Sequence, residues 1–213
     1  MNEALNAVTR QRMERTAEAL RRNNMEAYLA DDRAGAAALV KSLLQEGDTV
    51  SVGGSVSLDE CGILELLRGG GYRFLDRYAP GLTREQQEEL FRQSFFADAY
   101  LCSSNAVTEN GELYNVDGNS NRVAAMTFGP KSVILVVGAN KIVRDLEEAG
   151  RRVREIAAPA NCKRLGCATP CAATGQCADC KGDGRICCTT VIHQKQRVKG
   201  RIKVILVAEP LGY

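Results

Sequence analysis

A group of polar side chains lies between residues 107 and 122 and begins with the sequence VTENGELYNVDGN. Its Thr-Glu-Asn-Gly segment places the carboxylate of Glu109 beside a tight turn, because Asn-Gly is a preferred pair in short hairpin turns. Such a carboxylate can act as a nucleophile or a general base, or it can be an ordinary solvated loop acid. If Glu109 is functional, its polar neighbours would orient a substrate: Asn110, Gly111, Asn115, Asp117, Asn119, Asn121 and Arg122.

A second candidate site follows the strand-like sequence TVSV at residues 49–52. The residues that come next are Gly53, Gly54, Ser55, Val56 and Ser57. Glycines let backbone amides approach a ligand, and the start of a helix carries partial positive charge, so this loop could hold an anion or a phosphate. The alternative is a tight turn in which Ser57 caps the following helix. The loop lacks the lysine of a Walker motif and the spacing of a dinucleotide-binding motif.

Cysteines form a third candidate site, since seven of the nine fall within residues 162–188. Four of them have the clearest spacing for metal ligands: Cys171, Cys177, Cys180 and Cys187. Four thiolates can close a tetrahedral zinc site or hold an iron–sulfur cluster, so either cofactor is predicted here. The alternative is a set of buried or redox-labile thiols. Cys61 and Cys102 stand apart in apolar sequence, and we expect them to be buried.

Basic residues alternate with other residues along positions 193–203. On an extended chain they would line one face, which indicates a solvated face or a protected edge hairpin turning at Gly200. The alternative is a surface that binds phosphate groups. His193, the only histidine, is expected to be exposed on this face. Aromatic residues are absent between positions 129 and 212, which removes stacking platforms and argues against nucleic acid as a partner.

Helices and strands that must position these residues alternate along the chain. Capped helices are predicted to begin at Asp31 or Asp32 and at Thr83, where Gln86 completes a capping box. The run SVILVVG at 132–138 indicates a strand covered on both faces. Further strands are predicted at 25–30, 48–54, 72–76, 97–108 and 201–209. This order predicts an α/β fold with three αβα layers and a mostly parallel central sheet, together with an N-terminal helix and a Cys-rich C-terminal loop and hairpin.

The length of 213 residues allows one large domain or two small ones, and we predict a single α/β domain over residues 1–213 with the Cys-rich segment inside it. Hydrophobic residues make up 45% and charged residues 25% of the chain, and the net charge is +2. No apolar run reaches the ~18 residues that a membrane span needs. The first residues lack the apolar core of a signal peptide, so a cytoplasmic protein is expected. A homo-oligomer is left open.

Three stretches resemble the LUD-domain family, which includes the lactate-utilisation protein C group. They are SVGGSVSLDE, VTENGELYNVDGNSNRVAAMTFGPKSVILVVGANKIV and TPCAATGQCADCKGDGRICC. The resemblance covers nearly the whole chain and implies the fold of ribose-5-phosphate isomerase, glucosamine-6-phosphate deaminase and CoA transferases. VGGSVS looks like the phosphate loop of the sugar-phosphate isomerases. TENG is similar to the Ser-Glu-Asn-Gly turn of CoA transferases, whose glutamate accepts the acyl group; this implies the same role for Glu109, although Thr precedes it here.

The family resemblance also implies a process, the oxidation of lactate to pyruvate, with iron–sulfur and oxidase subunits as partners. An anionic small molecule would bind at the glycine loop and the Glu109 turn. Two alternatives stay open. The chain could be a CoA-ester or sugar-phosphate enzyme that uses Glu109, or a non-catalytic metal or redox module that uses the cysteines. Whether the chain is an enzyme is not decided by the sequence.

Overall fold

The computed structural model describes residues 3–213, and two β-sheets organise this part of the chain. The larger sheet has six strands, in the spatial order β1 (Glu26–Ala30), β10 (Ile202–Val207), β7 (Ser132–Gly138), β4 (Ala99–Cys102), β2 (Thr49–Val52) and β3 (Arg73–Leu75). All of its neighbouring strands are parallel. The smaller sheet has the order β8 (Ile142–Val143), β5 (Ala106–Thr108), β6 (Leu113–Asp117) and β9 (Thr189–His193).

Helices lie before the first strand and between many of the later strands of the two sheets. They are α1 (Glu3–Arg22), α2 (Arg33–Leu43), α3 (Val56–Glu60), α4 (Ile63–Arg68), α5 (Arg84–Gln93), α6 (Asn121–Thr127), α7 (Leu146–Arg152), α8 (Ala158–Arg164) and α9 (Pro170–Thr174). A π-helical turn at Val153–Ala157 joins α7 to α8 without a break. No helix within residues 3–213 is long and apolar enough to cross a membrane.

The larger sheet is the middle layer of three. Along β7, Val133 and Leu135 belong to one buried apolar cluster, and Ile134 and Val136 belong to another. Successive side chains of a strand point to opposite faces, so the two clusters lie on the two sides of the sheet. Residues of α1 and α6 cover the first side, and residues of α2, α3 and α4 cover the second. The predicted three-layer α/β fold and the doubly buried strand at 132–138 are therefore confirmed.

Several local signals act as the sequence predicts. Asp32 caps α2 by accepting a hydrogen bond from the backbone N–H of Gly35, and Thr83 with Gln86 forms a complete capping box on α5. The hairpin predicted at Asn110-Gly111 is the antiparallel pair of β5 and β6. Helix α3 departs from the prediction, because Ser55 caps it instead of Ser57. Both isolated thiols, Cys61 and Cys102, are buried as expected.

The predicted C-terminal hairpin is not formed. The chain does turn at Gly200, which has a φ of +76°, but β9 pairs with β6 in the smaller sheet, whereas β10 enters the middle of the larger one. β10 occupies an interior position of the larger sheet, where its apolar side chains are buried. This burial favours the interior position over the edge hairpin that the alternating basic residues indicated. Arg201 was expected on the basic face of that hairpin. Its guanidinium instead donates hydrogen bonds to carbonyl groups at the end of α6. His193 is half-buried, and burial lowers its pKa.

Candidate functional site

A cavity of about 290 Å³ lies at the carboxyl ends of the strands of the larger sheet. The chain leaves β2 toward β3 at one edge of the sheet, and it leaves the neighbouring strand β4 in the opposite direction, toward β7. Such a divergence opens a crevice between adjacent strands, and ligands of open α/β sheets bind there. Residues that follow β2, β4 and β7 line the cavity, among them Gly54, Ser103 and Lys141.

The cavity wall is polar and predominantly basic. The basic side chains that line it are Arg77, Arg122, Lys141 and Arg164. Among the lining residues of the described chain, Asp117 supplies the one side-chain carboxylate. An excess of positive charge in a concave, partly enclosed site attracts anions.

Arg122 holds one wall of the cavity together. Its Nε lies 3.3 Å from Oδ2 of Asp117, and both side chains are almost buried, with 11% and 10% of their surfaces exposed. Its terminal nitrogens donate to four more oxygens at 2.5–3.1 Å: Ser103 O, Asn105 Oδ1, Asn115 Oδ1 and Val116 O. These bonds tie the loop after β4 and the end of β6 to α6. Since the protein itself satisfies its donors, Arg122 positions the wall and is not a free anion-binding group.

The other two arginines of the cavity have no acidic partner. Within residues 3–213, neither Arg77 nor Arg164 forms an ion pair. The guanidinium of Arg77 lies over the ring of Phe91, with 4.5 Å between its central carbon and the ring centroid. Its Nε is buried without a hydrogen-bond partner. Arg164 donates to Asn161 Oδ1 at 2.8 Å and to Tyr213 Oη. Both guanidinium groups therefore keep capacity for an anion.

Lys141 lies at the floor of the cavity with only 4% of its surface exposed. Its amine donates to Ser57 Oγ at 2.9 Å and to Ser103 Oγ at 3.2 Å. No carboxylate of the described residues pairs with it. The short 3₁₀ turn at Ala139–Lys141, directly after β7, directs the side chain inward.

Burial lowers the pKa of Lys141 from 10.5 to about 7. The positive charges of Arg152 and Arg122 lower this pKa further, while the carboxylate of Glu60 raises it. A large fraction of this amine is therefore neutral near neutral pH.

The structure brings most of the predicted binding residues to this cavity. Six line it directly: Gly54, Ser55, Asp117, Asn119, Asn121 and Arg122. Three others support it from behind. Ser57 accepts from Lys141, and Asn115 accepts from Arg122. A Cβ added at Gly53 would lie 3.1 Å from the stem of Arg122, so the loop needs glycine there to pack against that side chain.

Glu109 lies outside the set of cavity-lining residues and packs against α1. Its Oε1 accepts from Nε of Arg12 at 2.8 Å. The turn approaches α1 so closely that a Cβ at Gly111 would lie 2.6 Å from the backbone nitrogen of Leu20. Glu109, Gly111 and Asn110 are therefore not brought together with the glycine loop. The role of Glu109 as a nucleophile stays a prediction.

The four cysteines predicted to bind metal differ in their surroundings. Cys171 is buried, Cys177 is exposed, and Cys180 and Cys187 are intermediate. In the part of the chain that the structure describes, no three His, Cys, Asp or Glu side chains form a group that could hold a metal ion. The thiols do influence one another, because burial raises the pKa of Cys187 and its cysteine neighbours raise it further. The described residues thus show no formed metal site, and the zinc or iron–sulfur cofactor stays a prediction.

Sequence reasoning missed the basic residues Arg77, Lys141 and Arg164. A usable signal exists for Lys141, which follows the most continuous buried strand of the chain, and carboxyl ends of parallel strands are where ligands bind. No comparable local signal marks Arg77 or Arg164, because distant segments bring them to the cavity.

Comparisons with known proteins agree with this architecture. The family described as the LUD domain matches residues 13–207. Among solved structures, the chain is similar to a DUF162 family protein from Deinococcus radiodurans, with 17% identity and a TM-score of 0.52 over 95% of this chain and 98% of that chain. At this identity the similarity shows the fold alone.

Two partial similarities are weaker and carry no argument. They are to eIF2B beta from Chaetomium thermophilum (TM-score 0.37, 18% identity, 56% of this chain and 44% of that chain) and to eIF2B delta from the same organism (0.35, 19%, 53% and 48%). No curated protein matches the chain significantly.

Proposed function

The chain belongs to the LUD-domain family, and from this premise we propose that it serves lactate oxidation to pyruvate by binding a small organic anion in the cavity. Family membership itself supports a role related to lactate utilisation in general. Iron–sulfur and oxidase proteins are the proposed partners in that process. The cavity between the glycine loop and Arg122 is the proposed binding site.

The observation that carries this proposal is the pair of arginines without acidic partners in the cavity wall. A buried N–H without an acceptor costs free energy, and Arg77 has such a group at Nε. Within the described residues the guanidinium of Arg77 has no acidic partner, so a carboxylate or phosphate in the cavity could form charge-assisted hydrogen bonds with it. The ring of Phe91 limits the movement of that guanidinium and so prepares it for an anion.

The size of the cavity narrows the ligand class. Its volume of about 290 Å³ lies at the lower end of the range for small-molecule pockets, roughly 300–1,000 Å³. A small hydroxy- or oxo-carboxylate fits this volume better than a whole nucleotide or CoA. The N–H groups of Arg122 already donate to oxygens of the protein. We therefore assign the contact with the anion to Arg77 and Arg164.

Binding of small anions to matched variants tests the site. Isothermal calorimetry with lactate, pyruvate and inorganic phosphate should give measurable binding to the wild-type protein. The variant Arg77→Gln should bind the preferred anion at least about tenfold more weakly, since a charge-assisted hydrogen bond contributes about 1.5–3 kcal/mol. Arg84→Gln is the matched control, because Arg84 is an exposed residue of α5. Equal affinities for all three proteins would contradict the assignment.

Growth experiments test the process. Cells that lack this chain should fail to grow on lactate as the carbon source and should grow normally on glucose. Wild-type protein and Arg84→Gln should restore growth on lactate, whereas Arg77→Gln should not. Purification from lactate-grown cells should recover iron–sulfur and oxidase proteins with the chain. Normal growth on lactate without the chain would contradict the proposed role.

A further inference from the structure

Lys141 is an unusual residue to find at the floor of a cavity. Lysines are almost never fully buried unless a carboxylate pairs with them. Here Lys141 is 4% exposed, and among the described residues its amine forms hydrogen bonds with the hydroxyl groups of Ser57 and Ser103. Neither hydroxyl carries charge, so the surroundings do not stabilise an ammonium ion as a carboxylate would.

The hydrogen-bond geometry suits a neutral amine. A neutral amine has two N–H groups and one lone pair, and Ser57 and Ser103 accept two hydrogen bonds at 2.9 and 3.2 Å. The lone pair then takes the remaining direction. An ammonium ion would have a third N–H without an acceptor, which is costly in a buried position. The pKa of about 7 is consistent with this assignment.

The cavity reaches the amine of Lys141, and the backbone of Gly212 lies close over that amine. A Cβ built at Gly212 would lie 3.3 Å from Nζ of Lys141 and 3.0 Å from Oγ of Ser57, so a larger residue at position 212 would crowd the amine. The space for a reacting group is therefore the cavity itself. Gly212 and Lys141 both line the cavity in which Arg77 and Arg164 lie.

We propose that Lys141 forms an imine with the carbonyl carbon of a 2-oxo carboxylate whose carboxylate group binds Arg77 or Arg164. This inference rests on the proposed function, because it names the ligand class of the same cavity. A buried neutral amine is the form of lysine that attacks carbonyl groups, and guanidinium groups in the same cavity provide the complementary contact for the carboxylate. A phosphate or a hydroxy acid would use only the arginines.

The reaction is a condensation in which nothing is oxidised or reduced. The nitrogen lone pair forms a bond to the carbonyl carbon while the electrons of the C=O double bond move to oxygen. A proton passes from nitrogen to that oxygen, which gives a carbinolamine. Loss of one water molecule then forms the C=N bond. The hydroxyl groups of Ser57 and Ser103 contact the nitrogen and can carry the proton.

Reductive trapping tests the imine. The full-length protein is incubated with pyruvate and sodium cyanoborohydride, and the modified lysines are identified by peptide mass spectrometry. Lys141 should be modified on the order of 100-fold faster than an exposed lysine near neutral pH, because an ordinary lysine is almost entirely protonated there. Modification should saturate with pyruvate, and lactate should compete with it without forming an adduct.

Variants and binding measurements make the result decisive. Lys141→Met should abolish the saturable adduct, whereas Lys41→Met, at an exposed position of α2, should leave it intact. If Lys141→Met fails to fold, the adduct site mapped on the wild-type protein gives the same answer. Calorimetric binding of pyruvate without an adduct on Lys141, or equal modification of all lysines, would overturn the imine and leave the proposed function standing. Absence of binding by pyruvate, lactate and phosphate would overturn both.

Discussion

Replacing Lys141 with methionine tests the electrostatic description of the cavity without any ligand. Methionine keeps most of the length and the apolar stem of lysine and removes the amine. The folded protein holds the pKa of Lys141 near 7, against an ordinary value of 10.5. Between these two values the unfolded chain binds more protons than the folded chain, so the free energy of unfolding rises with pH. The cost of burying the amine is therefore fully present below about pH 7 and disappears above the ordinary pKa.

The size of the effect follows from the two pKa values. Proton linkage with a folded pKa of about 7 and an unfolded pKa of 10.5 gives a gain of about 2 kcal/mol between pH 7 and pH 9. Lys141→Met should lose this gain. Other groups titrate in the same window, including cysteines with raised pKa values such as Cys162. Their contribution is common to both proteins and cancels when the two pH dependences are subtracted.

Urea unfolding at pH 7 and pH 9, in the presence of a thiol reductant, provides the measurement. The wild-type protein and Lys41→Met should change in parallel between the two pH values. Lys141→Met should differ from both by about 2 kcal/mol in that change. Parallel behaviour of all three proteins would show that the amine of Lys141 remains charged in the folded state, and the reasoning about the cavity floor would be wrong.

Three further predictions address the turn, its glycine and the cysteines. Glu109→Gln should change the free energy of unfolding by no more than about 1 kcal/mol, since the ion pair of Glu109 with Arg12 is partly exposed. Because Glu109 lies outside the cavity, this variant should keep growth on lactate; lost growth with an unchanged melting temperature would support the predicted nucleophile role. Gly111→Ala should destabilise the protein by about 2 kcal/mol or more, because the added Cβ would collide with the backbone of α1. Gly166→Ala is the control and should cost clearly less, since Gly166 has a similar positive φ but open space around it. Equal losses of stability in urea unfolding would argue against the close contact with α1. The predicted cofactor requires anaerobically purified protein to carry zinc, or iron with sulfide and a brown colour; protein with neither metal and with maleimide-reactive thiols at the four predicted ligand positions would refute it.

Much of the fold could be predicted because its signals are local. The run at 132–138 has no polar residue beyond its first serine, so only a strand buried on both faces suits it. The capping box of Thr83 with Gln86 depends on residues within a single turn of helix. The prediction of a C-terminal hairpin was wrong for a physical reason. A turn at Gly200 between two strands does not determine which sheet each strand joins. Partner strands from distant parts of the chain decide that.

The site was predictable only where it lies next to a strand end. The loop after β2 and the segment from Asp117 to Arg122 could be found, because turn-forming polar residues follow apolar runs there. The direction of the β5–β6 turn could not be found, and it places Glu109 on α1. The position of Lys141 directly after β7 is a sequence signal, but the lowered pKa of its amine arises from burial that only the tertiary structure creates.

The position of β10 has a consequence for how the molecule is made. This strand lies between β1 and β7, yet it is the last strand of the sheet to be synthesised. Until it emerges, both of those parallel strands have an unpaired edge, and such edges invite pairing with other chains. In a chain that ends shortly before residue 201, β1 has no partner strand and β7 is paired on one side only. The sheet is therefore completed only when β10 has been synthesised, and until then the open edges of β1 and β7 are sites where a nascent chain can pair wrongly.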